Sequence, residues 1–143
     1  MASITSANSI IMLAVASVYT TPQQLQGFAA DDIFSADAME IAETMMGVDG
    51  KLSAGYVFVP VKWSISLQAD SPSNAIFDNW RAAQVAATDV YFASATVNLP
   101  SLGKTFNLVN GVLNSYPPIP DAGKTLKPRK FGLTWESVTP ANM

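Results

Sequence analysis

From Val57 to Ala69 the chain reads VFVPVKWSISLQA, with Val57, Val59, Val61, Trp63, Ile65, Leu67 and Ala69 on one side of a two-residue repeat. Lys62, Ser64, Ser66 and Gln68 fall on the other side. A strand repeats every two residues, so this pattern demands a sheet with one face in a core and one face in contact with solvent. Pro60 has no N–H to give to a ladder, which places it at an edge, a bulge or the start of the strand.

The same test finds more strands. Tyr91, Ala93, Ala95, Val97 and Leu99 alternate with polar or outward neighbours, as do Phe131, Leu133 and Trp135. In residues 105–114 the phase slips near Val109 to Gly111, which predicts a bulge or bend. Residues 9–19 are apolar on both faces and read as one strand, either central in a sheet or covered by another subunit. Residues 38–46 also suit a short helix, but a strand is the preferred reading. Pro100 to Lys104 reads as a hairpin connection, and Tyr116 to Gly123 as a proline-rich extended linker.

One helix is expected, over about residues 72–87. Ser71 supplies an N-cap and Pro72 the first helical position. Ile76, Phe77, Trp80, Ala83 and Ala87 recur at helical spacing and form the packed face, while Asp78 and Arg81 form an exposed pair at i and i+3. The fold class is therefore mainly β: a β-sandwich or partly closed β-barrel with one flanking α-helix, in a single domain spanning residues 1–143.

Composition narrows the chemistry. The chain has no cysteine and no histidine, which removes disulfides, thiolate nucleophiles and the commonest proton-transfer and zinc-binding side chain. The run Ser9 to Val18 follows no lysine or arginine and is shorter than the ~20 residues of a membrane helix, so no membrane insertion is expected. Hydrophobic residues make up 49% of the chain and charged ones only 13%, against a usual charged share of about 25%; some of the surface is expected to be covered by partners.

The stretch GVDGKLSAGY, residues 47–56, holds Gly47, Gly50 and Gly55 between two extended segments. It lacks the spacing of a phosphate loop, and Asp49 lacks the spaced oxygen ligands of a calcium loop. It is either an ordinary hairpin turn or an arm reaching a neighbouring subunit. Asp31/Asp32 and Glu40/Glu43 are paired carboxylates with nothing in the sequence to bring them to one pocket. No cofactor is expected.

The net charge of −3 is unevenly spread. Residues 1–50 carry Asp31, Asp32, Asp37, Glu40, Glu43 and Asp49 and no lysine or arginine, whereas the last twenty residues carry Lys124, Lys127, Arg129 and Lys130 against Glu136. Such ends can complement each other within or between identical subunits. The basic cluster has no aromatic platform beside it, which argues against a nucleic-acid binding patch.

Three segments in order, VYTTPQQLQGFAADDIF, AETMMGVDGKLSAGYVFVPVKWSISLQADSPS and NGVLNSYPPIPDAGKTLKPRKFGLTWESV, resemble the tail tube proteins of long-tailed bacteriophages. The resemblance spans nearly the whole chain and lies in the order of segments rather than in one motif. It implies a non-enzymatic structural subunit that assembles into stacked hexameric rings, forming the hollow inner tube of a tail through which DNA passes without specific binding. It also implies a long protruding hairpin loop between rings, matched here by Met46, Gly47, Val48, Asp49, Gly50, Lys51, Leu52, Ser53, Ala54 and Gly55. Glu40, Glu43 and Asp49 are candidate acids facing the lumen, although Glu40 and Glu43 differ by an odd number and point to opposite faces of a regular strand. Lys124, Lys127, Arg129 and Lys130 form a candidate inter-subunit basic segment. Implied partners are further copies of the chain and sheath, baseplate and tape-measure proteins, in a virion tail, contractile by overall likeness, assembled in the host cytoplasm. Two alternatives stand beside this: a tail terminator or secretion-system ring protein, and, more remotely, a carboxylate-dependent polysaccharide hydrolase.

Overall fold

The computed structural model describes residues 8–29 and 33–142. Asp31 and Asp32 lie outside the described residues. Nine strands and one helix follow in the order β1 (Ile10–Val15), β2 (Tyr19–Gln24), β3 (Phe34–Ala36), β4 (Ala42–Met46), β5 (Leu52–Tyr56), β6 (Val61–Leu67), α1 (Asn74–Ala87), β7 (Ala93–Leu99), β8 (Lys104–Ser115) and β9 (Arg129–Asn142) among the described residues. Seven of the strands form one antiparallel sheet in the order β2-β1-β7-β8-β9-β6-β3, and β4 pairs with β5 alone. The sheet does not close: β2 and β3 are its two edges, so the architecture is sandwich-like rather than a barrel.

Alternation places the core as expected. Val61, Trp63, Ile65 and Leu67 of β6, Ala93, Ala95 and Val97 of β7, and Phe131, Leu133 and Trp135 of β9 are all buried. Pro60 immediately precedes β6, where a missing N–H leaves the ladder intact. The run at residues 9–19 is a hairpin rather than one strand. Ser17 adopts φ 66° and turns the chain, and Val15 then faces Tyr19 across a tight register. Its first half, β1, is internal in the sheet, which accounts for its apolar residues.

The phase slip in β8 is a bulge. Asn110 has φ 50°, and the β7–β8 pairing jumps from Ala95↔Leu108 to Ala93↔Gly111. Gly111 then faces Trp135 directly across the ladder. A Cβ on Gly111 would lie 2.3 Å from the Trp135 indole ring, closer than van der Waals contact allows, so the close approach itself requires glycine.

The helix begins two residues later than the Ser71–Pro72 signal predicts. Ser73 is the residue preceding it, and the Ser71 hydroxyl is used elsewhere, donating to the Gln26 carbonyl and accepting from the Ser73 N–H at 3.2 Å. Ser73 Oγ in turn accepts from the Gln26 N–H at 2.7 Å, so the helix entry is fastened to the Gln26 backbone while Ser71 caps the turn before it and Ser73 makes no cap bond of its own. The buried face is Asn74, Ile76, Phe77, Trp80 and Gln84; Ala87 is exposed. Phe77 stacks on Phe131 with ring centroids 4.2 Å apart, and the Trp80 Nε1–H donates to the Tyr91 carbonyl at 3.0 Å.

Asp78 does not pair with Arg81. It meets Arg129 at the start of β9, with Nη2 to Oδ1 at 2.9 Å, and accepts the Tyr116 hydroxyl proton in the same cluster. Arg129 is only 6% exposed; its guanidinium lies 4.9 Å from the Phe131 centroid and 5.5 Å from that of Tyr116, and also donates to the Pro117 carbonyl at 2.7 Å. Here a cation is buried among rings and needs its counter-ion. The hydrogen bond from Arg129 holds the Asp78 carboxyl below its ordinary value of 3.8, against the opposing effect of desolvation.

Two outcomes test this frame. Gly111→Ala forces Trp135 to move and is expected to cost roughly 1–3 kcal/mol, read as a lowered thermal midpoint; unchanged stability would contradict the close approach. Asp78→Asn leaves Arg129 without its counter-ion and is expected to cost roughly 1–3 kcal/mol at neutral pH, between exposed and fully buried ion pairs because Asp78 is partly exposed. Because the folded pKa is lowered, this contribution is complete above the unfolded value near 3.8 and is lost as pH falls through the lower folded value. The stability gap between the wild type and Asp78→Asn should therefore be flat above about pH 5 and shrink in more acid solution, measured by denaturant titration.

Candidate assembly surface

β4 and β5 form a hairpin arm. Its cross-strand pairs are Ala42↔Tyr56, Glu43↔Gly55, Thr44↔Ala54, Met45↔Ser53 and Met46↔Leu52. One face carries Ala42, Tyr56, Thr44, Ala54, Met46 and Leu52, and the other Glu43, Gly55, Met45 and Ser53, by the two-residue alternation of paired strands. Every residue of both strands is exposed, so neither face rests on the core. Met45 is 74% exposed, Leu52 62% and Val48, at the tip, fully so.

The tip is a well-formed turn. Gly47 N–H donates to the Lys51 carbonyl at 2.8 Å, and Asp49 Oδ1 accepts the Lys51 N–H at 3.1 Å. Gly50, with φ 86°, occupies a backbone region that other residues enter only under strain. At the root, Val57 N–H donates to the Ile41 carbonyl, and Tyr56 and Phe58 pack edge to face at 4.9 Å while both remain exposed. A lone two-stranded hairpin is marginal in water, and contiguous exposed apolar residues mark a contact surface.

The segment Met46 to Gly55 thus comprises the last residue of β4, the turn and most of β5. The candidate acids are dispersed: Glu40 precedes β4, Glu43 lies on β4 and Asp49 sits at the tip, all exposed. Among the described residues no group of acids is arranged to hold a metal ion. Of the basic segment, Lys124, Lys127 and Lys130 are exposed. Arg129 leaves that set, because it is buried and committed to Asp78 of the same chain.

An apolar cleft of about 430 Å³ opens beside the arm's root, where β3 and β6 face the far ends of β7, β8 and β9. Phe34, Met39, Trp63, Leu99, Phe106 and Val138 line it. A polar recess adjoins it, with Asp37, Lys62 and Lys130 around Trp63 and Gly132. No sequence signal pointed to the cleft, since its walls come from strands far apart in the chain.

A family model described as tail fiber protein gp32 matches residues 2–139. The chain belongs to that family. The family's description places the chain with tail proteins and does not specify a tube. No curated protein matches. Among solved structures, the fold is shared with the tube-terminating cap of the anti-feeding prophage at 12% identity and TM-score 0.62, covering 100% of this chain and 93% of that one. It is shared too with the sheath/tube terminator of the extracellular contractile injection system PVC, at 14% identity and TM-score 0.61, covering 99% and 98%. A chain of the PVC sheath-tube complex in its extended state matches at 13% identity and TM-score 0.56, covering 93% and 88%.

Removing the arm is expected to leave the core standing. A variant in which a short glycine linker replaces residues 42–56 should keep its thermal midpoint within about 3 °C, since β4 and β5 pair only with each other; a large loss of stability would show that the arm is part of the fold's own cooperative unit.

Proposed function

We propose that the protein is a structural, non-enzymatic subunit of the inner tube of a phage-type tail, self-assembling into hexameric rings that stack around a hollow channel for DNA. The observation that carries this reading is the arm: an ordered hairpin with apolar residues on both faces and no core beneath it, in a chain of a tail-protein family. Such an arm suits contact with a further ring, and head-to-tail stacking is the symmetry in which one patch meets a different one. The open strands β2 and β3 offer edges for pairing within a ring.

Glu40, Glu43 and Asp49 are the acids we assign to the channel or its mouth. Carboxylates there would keep DNA moving, since its affinity for proteins comes largely from neutralised phosphates. Lys124, Lys127 and Lys130 are the remaining basic contacts towards a neighbouring subunit. Sheath, baseplate and tape-measure proteins are the other partners, in a virion tail assembled in the host cytoplasm.

A second reading is favoured by the fold shared with a tube-terminating cap and a sheath/tube terminator: a protein that forms one closing ring rather than a stack. Electron microscopy of the purified protein and quantitation of its copies per particle separate the two. Long tubes and many tens of copies are expected for a tube subunit; one ring's worth of copies would replace it by the terminator, and a protein that stays monomeric under every assembly condition would remove both. Deleting residues 47–55 is expected to leave single rings that do not stack.

A further inference from the structure

Asp78, Arg81 and Gln84 follow one another at three-residue steps, which sets them in a row along one side of α1. The two outer members are committed. Asp78 is bound to Arg129, and the buried Gln84 accepts the Tyr91 N–H on its Oε1 at 3.2 Å. Because an N–H donates to it, that atom is the amide oxygen, and the Gln84 Nε2 on the other side carries two N–H donors. Those donors have no acceptor among the described residues. Arg81, in the middle of the row, is exposed and has neither a hydrogen bond nor an ion pair among them. The helix thus keeps a guanidinium and a held amide nitrogen side by side, both donors and both unanswered.

Arg81 and Gln84 line one recess of about 450 Å³, whose other wall is the end of β8 and the segment after it, Leu113, Asn114, Tyr116 and Pro118. One cation and no carboxylate stand in that lining. Asp78 does not supply the missing anion, since Arg129 already holds its charge. A lone guanidinium is neutralised by one negative charge, and its two parallel N–H groups match the two oxygens of a carboxylate. Phosphate would bring more charge than one arginine answers. Leu113, Tyr116 and Pro118 cover the carbon part of an acidic side chain, as a bare ion would not require. We propose that this recess docks an acidic segment of a protein partner, whose aspartate or glutamate carboxylate pairs with Arg81 and accepts a further bond from the Gln84 Nε2. The site takes no residue from the arm or the apolar cleft, so it stands or falls separately from the stacking of copies.

The probe is the peptide acetyl-Gly-Glu-Gly-amide, titrated into unassembled, isotope-labelled protein while the side-chain N–H signals of Arg81 and Gln84 are followed by NMR. Both signals are expected to shift saturably in the millimolar range, and the matching glutamine peptide is expected to leave them in place. No shift, or an equal shift with the glutamine peptide, would overturn the site. Acetate binding as tightly as the peptide would overturn the protein partner, and inorganic phosphate binding more tightly would overturn the choice of a carboxylate. Shifts that grow with protein concentration before any peptide is added would make the occupant a second copy instead. Arg81→Gln is expected to weaken peptide binding by at least about tenfold with an unchanged thermal midpoint, because the side chain it replaces is exposed. Gln84→Glu keeps an acceptor for the Tyr91 N–H and sets a carboxylate of the chain's own beside Arg81, so it too is expected to abolish binding; wild-type affinity in either variant would overturn the proposal.

Discussion

The approach of Trp135 to Gly111 sets the geometry on which the rest of the sheet depends. Trp135 is fully buried, faces Gly111 of β8 on one side and Val61 of β6 on the other, and packs edge to face on Trp63 at 6.1 Å. Beside Gly111 lies the bulge at Asn110, and a bulge adds local twist and bend to a strand. Trp135 is also the last residue of β9 to pair with β6; from Ser137 to Asn142 the strand pairs with β8 alone. The sheet therefore divides at this indole, with β6 and β3 going one way and the ends of β8 and β9 the other. The apolar cleft lies in that division, and β6 begins there because the arm has just returned to the sheet.

The second organising contact works on the other side of the core. Phe77 stacks on Phe131, and Arg129, two residues earlier in β9, reaches Asp78 next to Phe77 in the helix. One turn of helix is thereby tied to one strand by a ring stack and a charged hydrogen bond together. Burying Arg129 carries a desolvation cost, which the two aromatic faces and the Pro117 carbonyl offset. The proline-rich segment after Tyr116 is held by the same guanidinium, so a stretch without strand partners still leaves β8 in a fixed direction.

Period-two alternation made most of the core legible, because β6, β7 and β9 each bury one face in the core and obey the strand repeat. It also held a signal that was missed. Arg129 shares its phase with Phe131, Leu133 and Trp135, so the repeat that marked those three as inward marks Arg129 as inward too; grouping it with neighbouring lysines by charge hid this. Local helical spacing points Asp78 to Arg81, whereas a partner 51 residues away leaves no mark on the local pattern. The single strand read from residues 9–19 failed because hydropathy does not register a left-handed turn at Ser17. The arm was legible as glycine punctuation between extended segments, but its lack of any supporting core is a tertiary fact, and so is the cleft.

An arm left unsupported by its own chain has a physical consequence for assembly. A hairpin buried on one face would be stabilised equally in the free subunit and in the polymer, and would add nothing to the drive towards association. Here both faces of β4 and β5 stay exposed, so the apolar burial of Met46, Leu52 and Tyr56 remains available to whatever covers them. The tight turn at Gly47 to Lys51 and the bond from Val57 to Ile41 hold the two strands in register beforehand, which lowers the ordering cost of binding. Preorganised backbone with unspent apolar surface is the combination that the proposed stacking of copies would draw on, because the stabilisation of the arm is then gained only on contact.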